Sequence, residues 1–125
     1  MSKKLFLEQN QKEGEIYAGL VLGKNGEPDH HVFLLAAKPV KVFKWQAALD
    51  WAKEAGGDLP TRNEQSLLFA NLSEQFDRAW YWSNTQNSGY TDYAWVQDFS
   101  DGNQYELRKS NEYRARAVRR IYIQE

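Results

Sequence analysis

The side chains in this chain that can do chemistry are clustered aromatics, two adjacent histidines and scattered carboxylates. Trp80, Trp82 and Trp95 fall within sixteen residues, among Tyr81, Tyr90 and Tyr93. Such rings bury large apolar areas, and they stack sugars or bases where one face stays wet. His30 and His31 are neighbours in a segment that reads as a strand, so their side chains leave opposite faces and do not share one metal. Glu27-Pro28-Asp29 brings two carboxylates together, but calcium takes about six or more oxygens and few are gathered there. Asp92, Asp98 and Asp101 invite comparison with paired glycosidase acids, which need an enclosed cleft and one raised pKa. Nothing in the sequence promises that cleft; Asp101 is explained by a turn and Asp92 by a loop. Ser83, Ser88 and Ser100 have no His-and-acid constellation near them, because both histidines lie in the N-terminal quarter. The expectation is a protein that is not an enzyme, with no metal site and no cofactor.

Composition narrows the classes further. The 125 residues fit one domain, residues 1–125, long enough to bury a core without metal or disulfide. Apolar residues make up 42% and charged residues 26%, the balance of a soluble globular chain. Sixteen basic and seventeen acidic residues leave a net charge of −1, which exerts no overall pull on nucleic acid or anionic lipid. With no cysteine, thiol chemistry, disulfides and cysteine-bound zinc are excluded, and the redox compartment stays open. The N-terminus turns polar directly after Leu5-Phe6-Leu7, too soon for a signal peptide or a span of about twenty apolar residues. A cytoplasmic location is the default expectation, with a virion as the alternative.

The elements that must position these residues follow from periodicity and turn chemistry. Residues 8–14 read as a surface loop. Two β-rich runs, 15–22 and 30–35, flank a turn-dense segment with Asn25-Gly26 at its centre, the pattern of an antiparallel hairpin. Trp45, Ala48, Leu49 and Ala52 recur at helical spacing up to Gly56-Gly57; this helix should bury Trp45, Leu49 and Ala52, and it lacks a good N-cap. A second helix starts with Thr61 as N-cap and Glu64 three residues on, a capping box, and offers Leu67, Leu68 and Leu72 to the core. Tyr93 to Phe99 reads as a strand with Tyr93, Trp95, Gln97 and Phe99 on one face and Ala94, Val96 and Asp98 on the other. Ser100-Asp101-Gly102-Asn103 is a hairpin turn, followed by strands over 104–109 and 114–123. The order is α+β, with two helices packed on a small, mostly antiparallel sheet.

An ordered set of residues carries a family resemblance. Trp45, Ala48, Trp51 and Ala52 come first, then Gly56-Gly57-Asp58-Leu59-Pro60-Thr61-Arg62 and Glu64, then Trp80-Tyr81-Trp82-Ser83. Tyr93-Ala94-Trp95, Phe99, Asp101-Gly102 and Arg114, Arg116-Ala117-Val118-Arg119-Arg120 complete the set. Over about residues 14–121 the chain resembles the uncharacterised C-type-lectin-like domains of phages, prophages and bacterial surface proteins, related in fold to the formylglycine-generating domain. The resemblance implies a C-type-lectin-like fold whose loops and outer strands act as a display surface. Formylglycine-generating enzymes rely on cysteines, and related iron enzymes on several histidines; this chain departs from both. Sugar-binding C-type lectins hold calcium in a late Glu-Pro-Asn type loop, whereas Glu27-Pro28-Asp29 lies early.

The expected function is a non-catalytic binding module of phage or prophage type that presents a tyrosine-rich polar surface to a protein or glycan. Trp80, Trp82 and Trp95 are expected to staple helix to sheet. The contact set is Tyr90, Asp92, Asn103, Tyr105, Arg108, Glu112 and Tyr113, with Tyr105 and Tyr113 dispensable for stability. Arg108, Lys109, Arg114, Arg116, Arg119 and Arg120 form a basic run, but strand alternation and Glu106 and Glu112 break it up, which argues against nucleic acid. Arg116 or Arg119 is expected to pair with Glu64 or Asp98. The alternative is an intracellular phage factor that inhibits a host protein or sequesters a small metabolite; a homo-oligomeric virion subunit is the third option, and no membrane is involved.

Overall fold

The computed structural model describes residues 2–124. It is α+β, as expected, but it contains three α-helices and two separate three-stranded antiparallel sheets rather than two helices on one sheet. The first sheet has β1 (Ile16–Val21), β2 (His30–Leu34) and β6 (Val118–Tyr122), with β2 in the centre. The second has β3 (Trp80–Gln86), β4 (Tyr93–Asp98) and β5 (Gln104–Arg108), with β4 in the centre. The first sheet joins segments far apart in sequence, since β6 returns to pair with β2 from His30↔Tyr122 to Leu34↔Val118.

Both hairpins turn where residue chemistry requires. Between β1 and β2, Asn25 and Gly26 take φ of 55° and 84°, the left-handed region that such residues tolerate best. Between β4 and β5, Gly102 sits at φ 86°, and a Cβ there would lie 2.7 Å from the Phe69 ring. Asp101 Oδ1 accepts the Asn103 amide at 2.9 Å and fixes the turn.

The helices differ in how they are held. α3 (Arg62–Leu72) has the full capping box: the Glu64 amide donates to Thr61 Oγ1 at 3.1 Å, and the Thr61 amide donates to Glu64 Oε1 at 2.8 Å. Leu68 and Leu72 are buried, and Leu67 packs beside them under β1. α2 (Trp45–Glu54) begins at Lys44 with no side-chain cap, as its sequence implies. It buries Ala48 and Ala52, whereas Trp45 and Leu49 stay half-buried at its edges. The small residues let the helix approach β3 closely, so the larger ones pack along the flanks.

α1 (Lys3–Asn10) replaces part of the loop expected over residues 8–14. Ser2 caps it by accepting the Leu5 amide at 3.1 Å. Phe6 pins it to the first sheet, 4.1 Å from the His31 ring and 6.1 Å from Phe33. The helix buries none of its residues completely, so its sequence carries little amphipathic signal. The last expected strand is also shorter: Arg114–Ala117 precede β6 as an extended segment joined to other elements by single bridges.

Two apolar clusters form the core. One gathers Val32, Leu34, Leu68, Leu72, Phe76, Tyr81 and Phe99 between the first sheet and α3, with Phe76 and Phe99 stacked at 3.9 Å. The other packs Phe43, Ala48, Ala52, Leu59, Val96 and Ala115 around Trp82, whose indole donates to the Phe43 carbonyl at 2.7 Å. Among the described residues no helix is long and apolar enough to cross a membrane. Replacing Thr61 with alanine removes one half of the capping box and should lower unfolding stability by about 1 kcal/mol; a urea midpoint equal to wild type would show that the cap contributes nothing.

Candidate functional site

The expected contact set does not form one surface. Register pairs Val96 with Tyr105 and Tyr93 with Arg108, and these positions are three residues apart on β5. Alternation therefore sends Tyr105 and Arg108 to opposite faces of the second sheet. Asn103, Tyr105, Glu112 and Tyr113 gather on the Trp80 side. Tyr90, Asp92 and Arg108 gather on the Tyr93 side.

On the first side Trp80 is not internal. It is 38% exposed and meets Tyr105, 37% exposed, at 5.8 Å and Tyr113 at 5.5 Å between ring centres. The expectation that Trp80, Trp82 and Trp95 all staple the core thus holds fully only for Trp82. Trp80 opens β3 at the sheet's end, where no helix covers it. Trp95 is half-buried, with the Arg62 guanidinium 3.5 Å from its ring centre. Trp80 and Tyr113 line a shallow hollow of about 300 Å³ with Val42, Arg78, Glu112 and Arg114. Asn103 Nδ2 reaches the Tyr105 hydroxyl at 3.3 Å, and Asn111 Nδ2 donates to the Tyr113 hydroxyl at 3.1 Å. Asp98 also borders the hollow: burial pushes its carboxyl up, but hydrogen bonds from Ser100 hold it below the ordinary value.

Tyr113 does two jobs. Its ring packs edge-on to buried Trp82 at 5.0 Å, and its backbone exchanges both hydrogen bonds with Phe43 at 2.9 and 2.7 Å. It is half-buried, contrary to the expectation that it is dispensable for stability. The second side is looser. Tyr90 is 71% exposed and lies 6.3 Å from Tyr93, over which Arg108 sits at 5.2 Å. Asp92 contributes its backbone carbonyl, which accepts the Lys109 amide at 2.8 Å.

Three members of the basic run, Arg116, Arg119 and Arg120, have structural partners, and these differ from those expected. Arg119 pairs with Glu15 at 2.7 and 2.8 Å. Arg116 is buried and donates to the carbonyls of Gln75 and Leu35 at 2.6 and 3.1 Å. Arg120 takes Glu64, with Nε and Nη2 at 2.6 and 2.7 Å, and Asp58 at 2.9 Å. One residue of shift along β6 turns Arg119 and Arg120 to opposite faces, so only Arg120 reaches α3.

His30 and His31 diverge as their adjacency requires. His31 Nδ1 meets the Tyr17 hydroxyl at 2.8 Å, and His30 Nε2 meets Glu64 at 2.7 Å. Burial lowers the His31 pKa, with the His30 charge adding to it. Burial pushes Glu64 up, but Arg120, the Thr61 amide and His30 together hold it below the ordinary value. Arg119 holds Glu15 low against a smaller opposing effect of burial. The polar hollow around His30 and Arg120 was not legible in the sequence, because its walls come from four separate segments; the exposed Asn25-Gly26 turn and the capping box were its only local signs. Among the described residues, no group of three or more His, Asp or Glu side chains is placed to hold a metal ion.

Two measurements check these assignments. Tyr113→Ala should lower stability by about 1–3 kcal/mol and Tyr105→Ala by about 0.5 kcal/mol or less; equal losses would place both rings in the same environment. Urea midpoints measured from pH 8 to 2.5 should fall in two steps. Below the ordinary histidine value of 6.5 the unfolded chain takes a proton that folded His31 resists. Below the ordinary carboxylate value of 4.5 the contributions of Glu15 and Glu64 are lost as pH falls through their lower folded values. His31→Gln should remove the first step and Glu15→Gln should shrink the second. No protein-family model matches the chain, and a search of curated proteins finds no match either, so the assignment of these surfaces rests on the residues themselves.

Proposed function

We propose that the chain is a non-catalytic binding module, C-type-lectin-like in architecture and of phage or prophage type, that presents an aromatic face to a protein or glycan partner. The observation that carries this is the ring cluster of exposed Trp80 and Tyr105 with half-buried Tyr113, beside a shallow hollow lined by Trp80 and Tyr113. Trp and Tyr are over-represented among the side chains that dominate binding energy, especially beside arginine. Here Arg78 and Arg114 supply the arginines, and Glu112 adds the opposite charge at the rim. A rim of both signs around tilted rings, rather than one flat platform, favours a protein partner over a glycan. The face is free to serve binding because the scaffold beneath it is closed by Trp82, Val96 and Ala94, all fully buried.

The alternative, an intracellular phage factor that holds a small metabolite, draws on one separate observation, the polar cleft beside His30 of about 720 Å³. A host-lysate pull-down and a glycan array, each run with wild type and Trp80→Ala, test the aromatic face. A partner held through it should lose about 30-fold or more in affinity on truncation of Trp80, the range of a dominant contact residue. Capture of the same partner at undiminished affinity by Trp80→Ala and Tyr105→Ala would remove the proposal.

A further inference from the structure

The polar cleft opens between the β1–β2 loop, the start of α3 and the end of β6, and it shares no lining residue with the aromatic hollow. Its volume of about 720 Å³ lies within the range of small-molecule sites. The groups around it divide into those already used and those left over. Arg120 is committed to Glu64, Asp58 and the Leu59 carbonyl, so it does not wait for an anion. The Thr61 hydroxyl is committed to the Glu64 amide.

What remains is directional, and the two charged side chains on the loop wall, Lys24 and Glu27, are of opposite sign. His30 Nε2 is engaged by Glu64, which leaves Nδ1 as the ring nitrogen free for a further hydrogen bond. Among the described residues the carboxamides of Asn25 and Asn63 have no hydrogen-bond partner, and each offers a donor pair and an acceptor. The Tyr122 ring, 49% exposed, packs 5.0 Å from His30 and shows an open aromatic face to the cleft. Donors and acceptors placed around a single open ring, with no net charge on the loop wall, are complementary to a ligand with hydroxyls on its perimeter and a C–H face for stacking. A planar heterocycle would need apolar cover on both faces, and an anion drawn to Lys24 would meet Glu27 on the same wall. Thr61 and Asn63 also border a second hollow of about 420 Å³, with Arg62, Thr85 and Gln104 on its walls. The polar track therefore runs on past the start of α3, with room for a chain rather than a single ring.

We propose that this cleft is a second binding site, for a neutral, hydroxyl-rich saccharide chain stacked on Tyr122 and hydrogen-bonded by Asn63, Asn25 and His30. The site stands whether or not the aromatic face binds a protein. Saturation-transfer NMR on the full chain tests it, with maltotetraose, cellotetraose and chitotetraose as probes and adenosine and inorganic phosphate as contrasts. At least one tetrasaccharide should receive saturation, and its affinity should fall ten-fold or more in Asn63→Ala and in Tyr122→Ala. Lys38→Ala, an exposed site away from the cleft, should bind as wild type does. Asn63 and Tyr122 are both exposed, so amide fingerprint spectra of the two variants should show the native fold. The proposal fails if none of the three tetrasaccharides binds, if binding survives both substitutions, or if only adenosine or phosphate competes for the cleft.

Discussion

The carboxylate of Glu64 has no exposed surface, yet groups from three parts of the chain converge on it. The Thr61 amide reaches it from the turn before α3, His30 from β2 and Arg120 from β6. A buried charge costs several kcal/mol in lost hydration, so it persists only where geometry satisfies every lone pair. The same carboxylate closes the helix cap and ties α3 to two strands of the first sheet. Arg120 extends the tie to Asp58, whose backbone bridges Val118 at 3.0 and 2.8 Å. Removing any one partner leaves the others holding an uncompensated charge, which is why the cluster acts as a unit. The floor of the polar cleft is therefore fixed by the demands of folding, and its walls are set by what that floor leaves unused.

The second sheet is attached by different means. The extended segment before β6 runs parallel to β3, with Trp82 donating to the Arg114 carbonyl and Arg114 donating to that of Trp80. Trp82 then inserts into the apolar cluster and satisfies its only polar atom on Phe43. An indole needs such an acceptor when buried, and the bridge between Phe43 and Tyr113 holds that carbonyl in place. Trp80 lies two residues earlier on the same face, beyond the reach of α2, and its ring turns to Tyr105 and Tyr113 instead. Position along one strand, not residue type, separates the structural tryptophan from the displayed one.

That distinction marks the limit of what the sequence could show. Local chemistry was legible: the Thr61–Glu64 box, the two hairpin turns, the uncapped start of α2 and the alternation along β4 are all present. Each depends on residues within a few positions of one another. Long-range register was not legible. The run from Arg114 to Arg120 announced pairing with acids, but a shift of one residue decides which arginine meets Glu64 and which meets Glu15. The placement of Tyr105 and Arg108 on one surface was a different fault, since three residues of separation along the expected strand over 104–109 already sends them to opposite faces. α1 escaped because eight residues pinned by one half-buried phenylalanine leave no periodic signature.

The two candidate surfaces are governed by different physics, and this sets what each can recognise. The aromatic face offers apolar area with charges of both signs at its rim, so its binding energy comes from excluding water over rings that are only half covered. The cleft offers directional hydrogen-bonding groups above a buried ionic floor that holds His30. Such groups lose little on ordering when a ligand arrives, because His30 is already held by Glu64 and the start of α3 by its cap. A partner of the first surface can vary in shape as long as it supplies apolar cover. A ligand of the second must match directions, because a donor or acceptor left unmet when the cleft is covered costs more than a good hydrogen bond contributes. Selectivity should therefore reside in the cleft and adaptability in the aromatic face, with Glu64 as the shared foundation that makes the first rigid and Trp82 as the anchor that leaves the second exposed.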